Sequence, residues 1–300
     1  MRLTIPTRLR ATCAHKPEWG VWLESLPGIV SSLAERWELT LHEPVDGANV
    51  SCSWVARATR ADGSTAVFKI GLPAMESRDE LAGLRFWAGD GAVRVLEGDD
   101  TTQAFLMERC EPGTLLRALN EPEQDVVLAA MLKRLWRRPL PFPSEVRTPG
   151  RGAGGEVTFR HLSEMLTFWS DETRADEARW PDPGLVREGL RLFDELSQPS
   201  YEDVLLATDL HASNILAAQR EPWLVIDPKP FVGDRTYDAT QHLLHNCTER
   251  LRSNPDATIH RIADLAELDP ERLRLWLFAR AAAESRDDWE DISLARLLAP

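Results

Sequence analysis

The chain has 300 residues, 43% of them hydrophobic and 28% charged, a composition that excludes disorder and allows a substantial core. Its net charge of −13 argues against nucleic acid as a partner and suits a cationic small molecule drawn into a cleft. No apolar run is long enough to span a membrane, Met1 to Arg10 are too polar for a secretory signal, and Cys13, Cys52, Cys110 and Cys247 lack metal spacing, so buried thiols in a reducing cytoplasm are expected.

From Glu18 to Trp37 the apolar residues Val21, Trp22, Leu26, Ile29, Val30, Leu33 and Trp37 fall at helical spacing, and Pro27-Gly28 predicts two short helices or a kink. Strands are predicted at 39–41, 49–59 and 66–70. The turn from Pro44 to Asn49 reads either as a phosphate-covering loop or as an ordinary hairpin connection. Lys69 lies on the apolar segment Thr65-Ala-Val-Phe-Lys-Ile, after the Asp62-Gly63 turn. A strand lysine there, in a chain whose basic residues are nearly all arginine, suits the α- and β-phosphates of a nucleotide. The predicted helix over 76–88 offers Glu76 and Glu80 as its acidic partner, and Glu80 adjoins the buried stripe Leu81, Leu84 and Trp87. Strands at 93–97 and 103–109 would complete a five-stranded sheet carrying one helix. Met107 to Gly113 then reads as a hinge where the carbonyl of Glu108 and the N–H of Cys110 can pair with adenine. The predicted lobes are residues 1–110, holding the nucleotide, and 111–300, holding the catalytic loop.

The second part reads as helical, at about 124–138, 160–175, 184–196, 237–253, 259–265 and 270–287, with a Pro/Gly surface loop at 139–155. Within it stands Asp209-Leu-His-Ala-Ser-Asn214, then the apolar strand Trp223 to Ile226, then Asp227. A carboxylate, an amide five residues on, and a second carboxylate behind a strand form the spacing that holds ATP and magnesium beside an attacking hydroxyl. Magnesium prefers hard oxygen ligands, so Asn214 and Asp227 are assigned to the metal and Asp209 is the catalytic residue that receives the hydroxyl proton. His211 reads as a structural loop histidine and Asp238 as the N-cap of the next helix. The tail from Arg286 to Asp291 is either a solvated acidic helix end or a set of carboxylates and an indole facing a guanidinium.

The chain resembles the aminoglycoside phosphotransferase superfamily, within it the streptomycin 6-phosphotransferase and hydroxyurea phosphotransferase branch. The segments that carry the resemblance are Thr208 to Leu216, Glu221 to Asp238, Gly83 to Leu96 and Trp22 to Val30. It implies an α+β, protein-kinase-like two-lobed fold, ATP and magnesium as cofactors, and phosphorylation of a hydroxyl on a small antibiotic; a cytoplasmic monomer is expected. It adds a supporting role for Asp238 behind the catalytic loop. Streptomycin, a doubly cationic guanidinium compound, fits the acidic charge; neutral hydroxyurea or another metabolite is the alternative acceptor. The superfamily usually carries a loop-bracing His ahead of the catalytic Asp, and here Ala207-Thr208 stand in that place. That departure motivates a third reading, a catalytically degenerate nucleotide-binding protein.

Overall fold

A computed structural model describes residues 3–46, 51–139, 158–284, 289 and 291–300. The tip of the expected phosphate-covering loop at 47–50, most of the Pro/Gly loop, and residues 285–288 and 290 of the acidic tail lie outside the described residues. The chain divides into two compact units, Met1–Thr114 with Leu216–Ile226, and Leu115–Ile215 with Asp227–Pro300.

The first unit opens with helices α1 (Thr7–Cys13) and α2 (Pro17–Arg36). Strands β1 (Thr40–Pro44), β2 (Ser53–Thr59) and β3 (Thr65–Gly71) follow, then helix α3 (Glu80–Trp87), then β4 (Val95–Asp99) and β5 (Ala104–Glu108). The five strands form one antiparallel sheet in the order β1-β2-β3-β5-β4. Leu9 and Cys13 of α1 and Leu26, Val30 and Leu33 of α2 bury one sheet face with Trp54, Ala56, Phe68 and Ile70. Because side chains alternate across a strand, that packing turns Lys69 to the opposite face. Pro27 does not divide α2, contrary to the sequence expectation: the helix runs unbroken through it. Pro27 is exposed, so water can satisfy the carbonyl freed by its missing N–H, while Leu26 and Val30 hold the buried stripe.

The second unit is mainly helical. It contains α4 (Glu121–Leu135), α5 (Leu162–Ala175) and α6 (Pro183–Leu196), and the short β6 (Val204–Leu206). Strand β9 (Phe231–Gly233) pairs antiparallel with β6, whereas β7 (Ile215–Ala217) and β8 (Trp223–Val225), which pair with each other, belong to the first unit from Leu216 on. The rest comprises α7 (Arg235–Asn246), α8 (Thr248–Ser253), α9 (Pro255–Ala266), α10 (Pro270–Ala283) and α11 (Ile292–Leu298). Gly189 of α6 permits close approach of α10, since a Cβ there would stand 2.9 Å from that of Ala282. That seating matters because α10 carries Arg280 into the catalytic loop's surroundings.

Three further expectations differ from the structure. The stretch 237–253 forms two helices, α7 and α8, divided at Cys247. The N-cap of α7 is Asp234, which accepts the Thr236 N–H, and Asp238 lies inside the helix, fully buried. Cys52 is exposed, whereas Cys13, Cys110 and Cys247 are buried, and all four are free thiols. No helix among the described residues is long and apolar enough to cross a membrane.

Candidate active site

The second unit builds a tight loop around Asp209. The Ala207 carbonyl accepts the N–H groups of both Asp209 (2.6 Å) and Lys229 (2.8 Å), and the Thr208 hydroxyl donates to the Lys229 carbonyl at 2.6 Å. The two bonds to Lys229, one from main chain and one from the Thr208 side chain, tie 207–208 to residue 229 where the histidine is missing. Thr208 (φ +44°) and Asp227 (φ +54°) both occupy the left-handed region. For a β-branched threonine this is costly, and such conformations persist only where surrounding bonds dictate them, often at functional sites.

Asn214 donates its Nδ2 to the Asp209 carbonyl at 2.9 Å and faces the Asp209 carboxyl at 3.4 Å. His211 Nε2 stands 3.8 Å from Asp209 Oδ1, while its Nδ1 accepts the Ser213 N–H. Burial pushes the His211 imidazole below its ordinary range, against the opposing pull of Asp209 and Asp227. Asp209, His211 and Asn214 thus come together around one loop.

Behind the loop lies a buried polar layer. Asp238 Oδ2 accepts the Ala207 N–H and the Trp136 indole N–H, each at 3.1 Å. Burial pushes the Asp238 carboxyl up to about 6, partly offset by those donors. Gln241 donates to Asp209 Oδ1 at 2.6 Å, and Arg280 donates to Gln241 Oε1 at 2.8 Å. Neither Gln241 nor Arg280 stands out in the sequence. Each is a polar residue on a helix, which ordinarily marks a solvent face.

The donor set suits a hard divalent cation. Binding of Asn214 Nδ2 to the loop carbonyl turns the amide oxygen the other way, and the Asp227 carboxylate already draws the Lys229 ammonium into an ion pair. An amide oxygen with a carboxylate is a sufficient protein contribution for magnesium, which keeps several waters. Lys229 is also missing from the sequence-based assignments. Only four lysines occur in the chain, Lys16, Lys69, Lys133 and Lys229, so its place beside Asp227 was a usable signal.

In the first unit, Lys69 Nζ meets Glu80 Oε1 at 2.6 Å, and both side chains are buried. The helix predicted from residue 76 begins at Glu80, because 75–79 form turns, and this sets Glu80 at the first turn beside β3. The Glu108 side chain accepts the Arg94 N–H at 2.7 Å and forms a two-pronged pair with Arg220 at 2.7 and 3.1 Å. Its carboxylate is therefore committed to holding 216–226 against β5. Burial pushes the Cys110 thiol up to about 11, so it stays protonated.

A further cluster, Asp125, His242 and Cys247, brings three ligand-type atoms within 4.8 Å of one another. Arg250 and Arg261 already donate to Asp125 at 2.8 Å, so the cluster is neutralised by guanidinium groups and reads as a helix-joining network.

The profile of the aminoglycoside/hydroxyurea antibiotic resistance kinase family matches residues 36–291. The chain is 34% identical over 282 residues to streptomycin 6-kinase of Streptomyces griseus, covering 91% of this chain and 86% of that one. It is 33% identical over 279 residues to hydroxyurea phosphotransferase of Kitasatospora aureofaciens, with 91% and 76% covered. Among solved structures, Plasmodium vivax ethanolamine kinase shares the fold with a TM-score of 0.57 at 13% identity, over 87% of this chain and 80% of that one. The α+β, kinase-like two-lobed fold expected from the sequence is the fold found, and the chain belongs to the aminoglycoside/hydroxyurea antibiotic resistance kinase family.

Proposed function

We propose that this protein transfers the terminal phosphoryl group of ATP to a hydroxyl of a streptomycin-type aminoglycoside. The observation that carries this reading is the single loop on which Asp209, fixed by Gln241, meets Asn214. The acceptor oxygen bonds to the γ-phosphorus as the bridging P–O bond breaks, ADP leaves, and Asp209 receives the hydroxyl proton. Asn214 and Asp227 would hold magnesium, which when bound offsets charge on the phosphates. Lys229 adds a positive charge next to Asp227, and Lys69, oriented by Glu80, reaches the α- and β-phosphates. The Glu108 carbonyl and the Cys110 N–H pair with adenine. Residues 1–110 thereby serve the nucleotide and 111–300 the transfer and the acceptor, in a cytoplasmic monomer without nucleic-acid or membrane partners.

Identity to the Streptomyces griseus streptomycin 6-kinase and a net charge of −13 both favour a cationic acceptor. The second reading, a kinase for hydroxyurea, is supported by nearly equal identity to the Kitasatospora aureofaciens protein. Asp209→Ala and Asp227→Ala test the assignment. Each should lower turnover by at least about 10²-fold while circular dichroism stays unchanged. Near-normal phosphorylation by either variant refutes it.

A further inference from the structure

The two carboxyl oxygens of Asp209 are held unequally. Its Oδ1 takes the 2.6 Å bond from Gln241, whereas Oδ2 has a 3.4 Å approach from Asn214, and the side chain is 31% exposed. Gln241 is buried on α7 and could in principle turn its amide either way. Arg280 removes that freedom. Its guanidinium only donates, so its 2.8 Å bond fixes Oε1 as the acceptor and directs Nε2 at Asp209. Arg280 is itself held on all sides: it donates to the Thr240 hydroxyl at 2.7 Å, pairs with Glu284, and lies 5.0 Å from the Tyr237 ring.

We propose that Gln241, locked by Arg280, is the positioning residue that occupies Oδ1 of Asp209 and leaves Oδ2 as the oxygen that receives the acceptor's hydroxyl proton. The inference rests on Asp209 serving the transfer as described above. It assigns the two carboxyl oxygens different duties and makes a rigid pair on α7 and α10 responsible for the direction in which the acid points. Reactions of this kind are sensitive to such aim, and a misplacement of about 1 Å can cost about 10²-fold in rate.

The diagnostic substitution is Gln241→Glu in the full-length chain. A carboxylate at 241 still accepts from Arg280, but when ionised it has no hydrogen to give Asp209 and sets a like charge against its Oδ1. Gln241→Asn, which keeps the amide and shortens its reach by one methylene, is the second variant. With streptomycin as acceptor, both are expected to lose about 10- to 100-fold in kcat with the KM for ATP within about twofold, and Gln241→Asn to keep a thermal midpoint near that of the parent. A purely structural role predicts the reverse for Gln241→Glu, namely parental kcat with packing intact. Parental kcat in either folded variant overturns the proposal, as does a loss of kcat that only follows a loss of thermal stability. Asp209→Asn is measured alongside: if it turns over normally, the assignment of Asp209 fails independently of anything seen at Gln241.

Discussion

Lys69 and Glu80 meet inside the first unit with side chains only 5% and 3% exposed. Removing one partner of such a pair leaves a buried charge without compensation, whereas replacing both with apolar groups can be nearly neutral. Glu80→Ala should therefore destabilise the protein by about 3–5 kcal/mol in chemical denaturation, and Lys69→Met with Glu80→Leu should recover most of that loss. The double variant should still bind ATP poorly. If Glu80→Ala costs no more than a surface substitution, the pair is not closed in solution. Lys69 is legible in the sequence because a charge inside an apolar strand demands a partner. Gln241 and Arg280 are harder to see, since their meaning comes from neighbours 32 and 39 residues away that only the fold brings into contact.

Helix α7 is the element that couples stability to the catalytic loop, through Asp238. An unfolded aspartate titrates near ~3.9. In the fold burial moves this one up to about 6. The native chain therefore holds the proton over an interval where the unfolded chain has lost it. That stabilisation is complete below the unfolded value and disappears as pH rises through about 6. Asp238→Asn retains an oxygen for the Ala207 N–H but cannot ionise. Its thermal midpoint should gain on the parent between about pH 4 and pH 6, by an amount corresponding to roughly 3 kcal/mol. A difference between the two that stays constant across that interval contradicts the burial account. At this scale the sequence conveys helix and strand identity better than extent. Periodicity marks α2, α4 and α6 well. It cannot show that an exposed Pro27 is tolerated, that Cys247 divides α7 from α8, or that three-residue strands such as β6 and β9 exist, because so few residues carry no period.

Across the whole molecule, the order of motifs is what made the fold class readable: a strand lysine, a helix acid, then the Asp209, Asn214 and Asp227 series. The return of Leu216–Ile226 to the first unit was not readable. It depends on Arg220 reaching Glu108 and the Gly89 and Ala92 carbonyls, contacts more than a hundred residues apart in sequence. Charge acts on the same scale, since a molecule of net −13 enriches cations near its clefts and does so less as salt rises. On the proposed reading, this charge favours a guanidinium-bearing acceptor over a neutral one. The most direct measurement is mass spectrometry of streptomycin and, separately, hydroxyurea after incubation with the protein, ATP and magnesium. Streptomycin should carry one added phosphate ester, formed in step with ADP and absent when Asp209→Ala replaces the parent. Unmodified streptomycin with the parent protein, or an equal yield of phosphorylated product with Asp209→Ala, would contradict the proposed transfer.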